Sequence, residues 1–145
     1  MAYKTYSFQD TDVSINHPSV GSMSASGAGI GSVAVNMAND KSVHDTAADG
    51  SVMVSKIKTR SGTVALAVQQ SSGIHTFLVR WINYLESAPA SVWADTVVTI
   101  RSKSTGETIT CKGVSPQKSA DKSYQAQGQT ITWNLLCADI QQDLV

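Results

Sequence analysis

The residues of this chain with the most chemical potential are three histidines, His17, His44 and His75, two cysteines, Cys111 and Cys137, and a run of acids around His44. His44-Asp45 lies near Asp40 and Asp49, so carboxylates and an imidazole share one short segment. Such a set could hold a cation or move a proton, but its spacing fits neither an EF-hand loop nor a zinc site. It reads as a solvated or interface loop. Gly27-Ala-Gly-Ile-Gly31 is only superficially similar to a dinucleotide fingerprint: that motif must follow a strand and open a helix, and this one opens a strand pattern. No serine stands in a G-x-S-x-G elbow, and neither cysteine has a histidine close in sequence. The histidines are scattered in polar contexts that predict exposure. Both cysteines fall in strand patterns on faces with large apolar neighbours, which predicts two buried free thiols. The expectation is no catalytic residue, no cofactor and no metal.

The elements that would position these residues follow from periodicity. Ile74, Phe77, Leu78, Trp81, Ile82 and Leu85 recur at helical spacing, and Ser71 or Ser72 ahead of them suits an N-cap. The spacing predicts one helix over about 73–87, stopped by Pro89. Just before it, Val64, Leu66 and Val68 alternate with Thr63, Ala65 and Ala67, the period of a strand. Further strands are expected around Val13 and Ile15, over 31–38, 51–60, 96–103, 108–115 and 129–138. Tyr3 to Phe8 reads as a short strand or an extended arm. Residues 19–31 are rich in Gly, Ser and Ala and read as a mobile loop or as an arm that orders against a neighbour. Residues 39–50 read as a polar loop ended by Asp49-Gly50, and the tail after Asp139 shows no pattern. The sum is a mainly β fold: two packed antiparallel β-sheets, a sandwich or open barrel, flanked by one α-helix.

Composition narrows the function. The chain has 145 residues, enough for one domain with its own core. Its 11 basic and 11 acidic residues cancel, which argues against tight phosphate binding. Charged residues are 15% of the chain against roughly 25% in an average domain, so the surface does little to oppose self-association. No apolar run approaches the roughly 20 residues of a membrane helix, and Met1 to Tyr6 lacks a signal-peptide core. Two surface patterns stand out. Lys56, Lys58 and Arg60 share a strand face with Val52 and Val54, which reads either as a solvated face or as a projecting hairpin arm. The cations of such an arm would meet the acidic loop 39–50 of another copy. The second pattern is a small, uncharged strand face: Ser32, Ala34, Asn36; Thr63, Ala65, Ala67; Thr130, Thr132, Asn134. Such a face suits a close subunit contact or a channel wall.

Tyr6-Ser-Phe8, Asp12-Val-Ser-Ile15, the Gly-rich segment, Ala48-Asp-Gly-Ser-Val-Met53, Ser61-Gly-Thr-Val64 and Thr130-Ile-Thr-Trp133 resemble the tail tube proteins of bacteriophages, most familiar from contractile-tailed phages. The resemblance runs over nearly the whole chain and carries no catalytic motif. It implies two packed sheets flanked by a helix, with homohexameric rings stacked into a tube. It also implies assembly in the host cytoplasm into a virion tail. Implied partners are a tail sheath protein, a tape-measure protein, baseplate or initiator proteins and a tail terminator. DNA would pass through the lumen without specific binding. The expectation is a single domain over 1–145 with assembly arms at 19–31 and 39–60. The expected interface residues are Asp40, His44, Asp45, Asp49, Lys56, Lys58 and Arg60. The competing reading is a β-sandwich that recognises carbohydrate, for which Trp93 is the one free aromatic.

Overall fold

The computed structural model describes residues 3, 5–26 and 29–144. Gly27 and Ala28 of the glycine motif lie outside them. Among the described residues there are ten strands and one α-helix. Residues 3 and 5–7, part of the stretch read as a strand or arm, lie in no strand, and a 3-10 turn over Phe8–Asp10 precedes β1 (Thr11–His17). Then come β2 (Gly21–Ala25), β3 (Ile30–Met37), β4 (Ser42–Thr46), β5 (Val52–Lys56), β6 (Gly62–Gln69), α1 (Gly73–Ser87), β7 (Thr96–Ser102), β8 (Glu107–Pro116), β9 (Thr130–Cys137) and β10 (Asp139–Leu144). Eight strands are hydrogen-bonded in the antiparallel order β2-β1-β7-β8-β9-β6-β3, with β10 on the free side of β8. β4 and β5 form a separate ribbon.

β8 joins two sheets. Through Val114 it pairs with β7, and Glu107 to Lys112 pair with β10. Its last residues, Ser115 and Pro116, pair with β9. The bend falls at Gly113, whose φ of +64° is left-handed and favours glycine. There the ladder with β7 slips from Val98↔Cys111 to Thr96↔Val114, the extra residue of a bulge. Ala138, the single residue between β9 and β10, lies against the same point and its N–H donates to Lys112 O at 3.2 Å. A Cβ at Gly113 would stand 2.8 Å from that of Ala138. Both strands therefore cross from one sheet to the other at a corner with no room for a side chain.

The two sheets and the helix share one core. Ile15, Val98, Cys111 and Ile140 form one cross-strand row of the first sheet. Leu66 and Trp133, then Val64 and Leu135, form rows of the second. α1 adds Ile74, Phe77, Leu78, Trp81, Ile82 and Leu85, the six residues of the predicted stripe. Each such burial stabilises by about 1.5–3 kcal/mol before the cost of ordering the chain. The buried Trp81 Nε1–H donates to Thr96 Oγ1 at 2.8 Å, so the indole leaves no orphan donor. Ser72 is the N-cap, accepting from His75 N at 3.3 Å.

Three strands run through stretches read as patternless. Residues 21–25, expected as loop or arm, hydrogen-bond to β1 from Val13 to His17. Backbone pairing needs no large side chain, and Met23 supplies the one that packs partly on the core. Residues 42–46, expected as loop, are β4. The tail forms β10 on Cys111 and its neighbours, with Ile140 as its buried residue. Cys111 and Cys137 are buried and unbridged. The hydrogen bond with the neighbouring Cys111, and then burial, push the Cys137 thiol up.

Replacing Gly113 by Ala should cost about 1–3 kcal/mol, because it adds both left-handed strain and a clash at the corner. A thermal melt followed by circular dichroism should show Tm lower by about 3–10 °C.

Candidate functional site: an exposed hairpin and an uncharged sheet face

Every residue of β4 and β5 is exposed. The ribbon pairs Ser42↔Lys56, Val43↔Ser55, His44↔Val54, Asp45↔Met53 and Thr46↔Val52. Its tip is a turn in which Asp49 Oδ1 accepts from Ser51 N at 3.0 Å and from Ser51 Oγ at 2.6 Å. These two donors hold the Asp49 carboxyl below the usual aspartate value of 3.8. The tip is thus closed around a charged carboxylate at neutral pH and loses that help as pH falls below 3.8. Gly50 takes φ +90° at the turn.

The base is anchored to the body. Ile57 N donates to Lys41 O at 3.0 Å and Ala38 N to Ser61 O at 3.0 Å, so the stem strands stay together below the ribbon. Arg60 Nε lies 2.9 Å from Asp139 Oδ1 and its Nη2 3.2 Å from Oδ2. This is a parallel two-bond fork on the first residue of β10. Ile140 N completes the anchor by donating to Arg60 O at 2.8 Å.

The expected interface residues fall on this one element. Asp40 precedes β4, His44 and Asp45 lie on its opposite faces, Asp49 holds the tip, and Lys56 ends β5. Lys58 follows in the stem and is exposed. The stripe predicted for Lys56, Lys58 and Arg60 does not continue as one strand face, because β5 ends at Lys56 and Arg60 turns to Asp139. Val52 and Val54, expected on the same strand face, are 52% and 61% exposed. Nor do the acids and cations occupy separate elements: pairing of β4 with β5 folds them into one hairpin.

The second surface is the outer side of β3-β6-β9. Register aligns the small residues of the three strands into rows, Ser32–Ala67–Thr132, Ala34–Ala65–Asn134 and Asn36–Thr63, the last ending on β9 at the large apolar Leu136, which is 43% exposed. These rows hold no charged side chain. α1 packs on the other, apolar side of β6, so the helix and the uncharged face lie on opposite sides of that sheet.

Two histidines are built into the structure, against the expectation that all were exposed. His17 is buried. Its Nδ1 accepts from Ser19 N at 3.1 Å, its Nε2–H donates to Val92 O at 3.1 Å, and its ring edge meets Tyr84. His75, half-buried on α1, accepts from Trp133 Nε1–H through Nδ1 at 3.2 Å. Burial, and secondarily the charge of Lys122, lower its pKa from the usual 6.5. Trp93 is 38% exposed beside a 3-10 turn. Among the described residues no group of three His, Cys, Asp or Glu side chains is placed to hold a metal ion. No helix among them is long and apolar enough to cross a membrane.

The family model for the bacteriophage PhiTE tail tube protein matches residues 3–145. The chain belongs to that tail tube family. Its role is that of a structural tail tube component, as the resemblance implied. Among curated proteins no sequence matches it. Solved structures share its fold at low identity. One is a chain of the PVC extracellular contractile injection system's sheath/tube terminator in the extended state, with TM-score 0.68, 13% identity and 99% of each chain covered. A chain of the PVC sheath-tube complex has TM-score 0.66 and 14% identity, covering 97% of this chain and 93% of that one. A chain of the anti-feeding prophage tube terminating cap has TM-score 0.62 and 5% identity, covering 100% of this chain and 94% of that one. The tube protein's two-sheet body and helix are thus the shared architecture.

A neutral His75 accepts the Trp133 hydrogen bond, and a protonated one does not. Because its folded pKa is lowered, its contribution is complete above 6.5 and is lost as pH falls through that value towards the folded one. Between about pH 7.5 and about pH 5.5 Tm should therefore fall, and His75→Gln, which keeps an acceptor, should flatten the fall. Melts at matched ionic strength check this.

Proposed function

We propose that copies of this chain close into hexameric rings that stack into the inner tube of a contractile tail, the conduit for DNA ejection. The carrying observation is the three-strand outer face of β3-β6-β9, charge-free and row-aligned. Turned inward, it makes a polar, uncharged wall that gives a passing polyanion no cation to hold it. β3 at one end of the hydrogen-bonded path, and β2 at the other, leave unpaired backbone edges. Ring closure between copies satisfies such edges without leaving new ones.

The β4–β5 ribbon reaches a copy in the adjacent ring. Lys56, Lys58 and Asp40 at its base, and Asp45 and Asp49 towards its tip, set ring-to-ring register more than affinity. Arg60 serves the arm by holding its base. Before assembly the ribbon has few contacts to its own body, which supports its ordering fully on a neighbour. Around this tube a sheath protein would lie outside and a tape-measure protein inside. Baseplate or initiator proteins would start the tube and a terminator would cap it, with assembly in the host cytoplasm. The work is mechanical and requires no enzymatic step.

Purified protein viewed by negative-stain electron microscopy should show rings and tubes. The Lys56→Glu, Lys58→Glu double variant, which leaves the Arg60 anchor intact, should melt like the parent and form rings that do not stack. Tubes of normal length from that variant would remove the arm assignment, and a purely monomeric parent would remove the tube.

A further inference from the structure

The hairpin has two faces, and each carries two exposed apolar side chains among polar ones. Successive side chains of a ribbon point to opposite sides. The observed register therefore puts Val52, Val54 and Lys56 on one face with His44, and Val43, Met53 and Asp45 on the other. Val52 and Val54 are 52% and 61% exposed, and Val43 and Met53 are 47% and 62% exposed. A ribbon lying flat on one surface would bury one of these pairs and leave the other in water. The charges differ as well: the first face carries a cation, Lys56, and the second an anion, Asp45. One receiving surface cannot complement both.

We infer that each hairpin seats as a wedge between two further copies of this chain, one covering each face. The inference rests on the tube reading, which supplies copies of the chain as the neighbours. It adds that the seat is shared. The face with Lys56 meets a surface with free carboxylates, and the face with Asp45 meets one with free cations. A shared seat ties two copies of the adjacent ring to each other as well as to the arm. It also explains why apolar side chains alternate with polar ones on neither strand in the one-sided manner of a surface hairpin.

The test separates the faces. Val52→Ser with Val54→Ser, and Val43→Ser with Met53→Ser, are made as two double variants of the full chain. Melts followed by circular dichroism should match the parent, since the ribbon packs little on the body. Each double variant alone should raise the protein concentration needed for tubes by about tenfold or more, read by pelleting and electron microscopy. Loss of assembly in only one of them would overturn the two-sided seat and leave the arm reading standing. Normal assembly in both would overturn the arm reading too. As a second measurement, Val54→Cys and Ser55→Cys are labelled separately with a benzophenone maleimide, the native cysteines being buried. Crosslinks from the two positions should reach different surfaces of neighbouring copies, and crosslinks to one and the same surface would overturn the wedge.

Discussion

An eight-stranded antiparallel sheet has two faces, and a small chain must bury one of them against something. Here the sheet is covered largely by its own other half. That is possible because β8 and the β9–β10 connection cross between the sheets at one corner, where Gly113 and Ala138 meet without an intervening side chain. Everything apolar then converges: Val98 and Cys111 from one side, Leu66 and Trp133 from the other, and the α1 stripe across the remaining opening. The two indoles show how closely the core is specified, since Trp81 and Trp133 each have their N–H met by a side-chain acceptor on another element.

With the core enclosed by one sheet doubled over, the outer faces are free to serve other ends. The β3-β6-β9 face could be made small and uncharged because its inner side already holds the strands in place. Ala65 and Ala67 add nothing to the core, and Thr63, Thr132 and Asn134 need only water or a neighbour. The hairpin is freer still. Its side chains answer to no part of this chain's interior, so its composition reflects what lies outside.

The parts legible in sequence were those whose side chains report their own burial. The helix stripe from Ile74 to Leu85 and the alternation in β6 and β9 follow directly from which residues enter the core. β2, β4 and β10 were not legible. Each is an edge or ribbon strand, held mainly by backbone pairing, and Gly, Ser, Asp and Gln hydrogen-bond through the main chain as well as valine does. His17 misled for another reason: its neighbours in sequence are polar, and its burial comes from Tyr84 and Val92, far along the chain. The candidate residues were expected within one arm over 39–60, but which of them share a face needed the β4–β5 register. The partner of Arg60 is 79 positions away, a distance at which no local pattern speaks.

The Arg60–Asp139 fork is a pair of half-exposed side chains, and such pairs contribute little to stability. Its leverage is geometric. Five residues of strand extend about 17 Å beyond the stem, so a tilt of about 10° at the base displaces the tip by about 3 Å. That is the width of a hydrogen bond. Two weak bonds at a pivot thus govern aim, and an error there is magnified along the ribbon's whole reach.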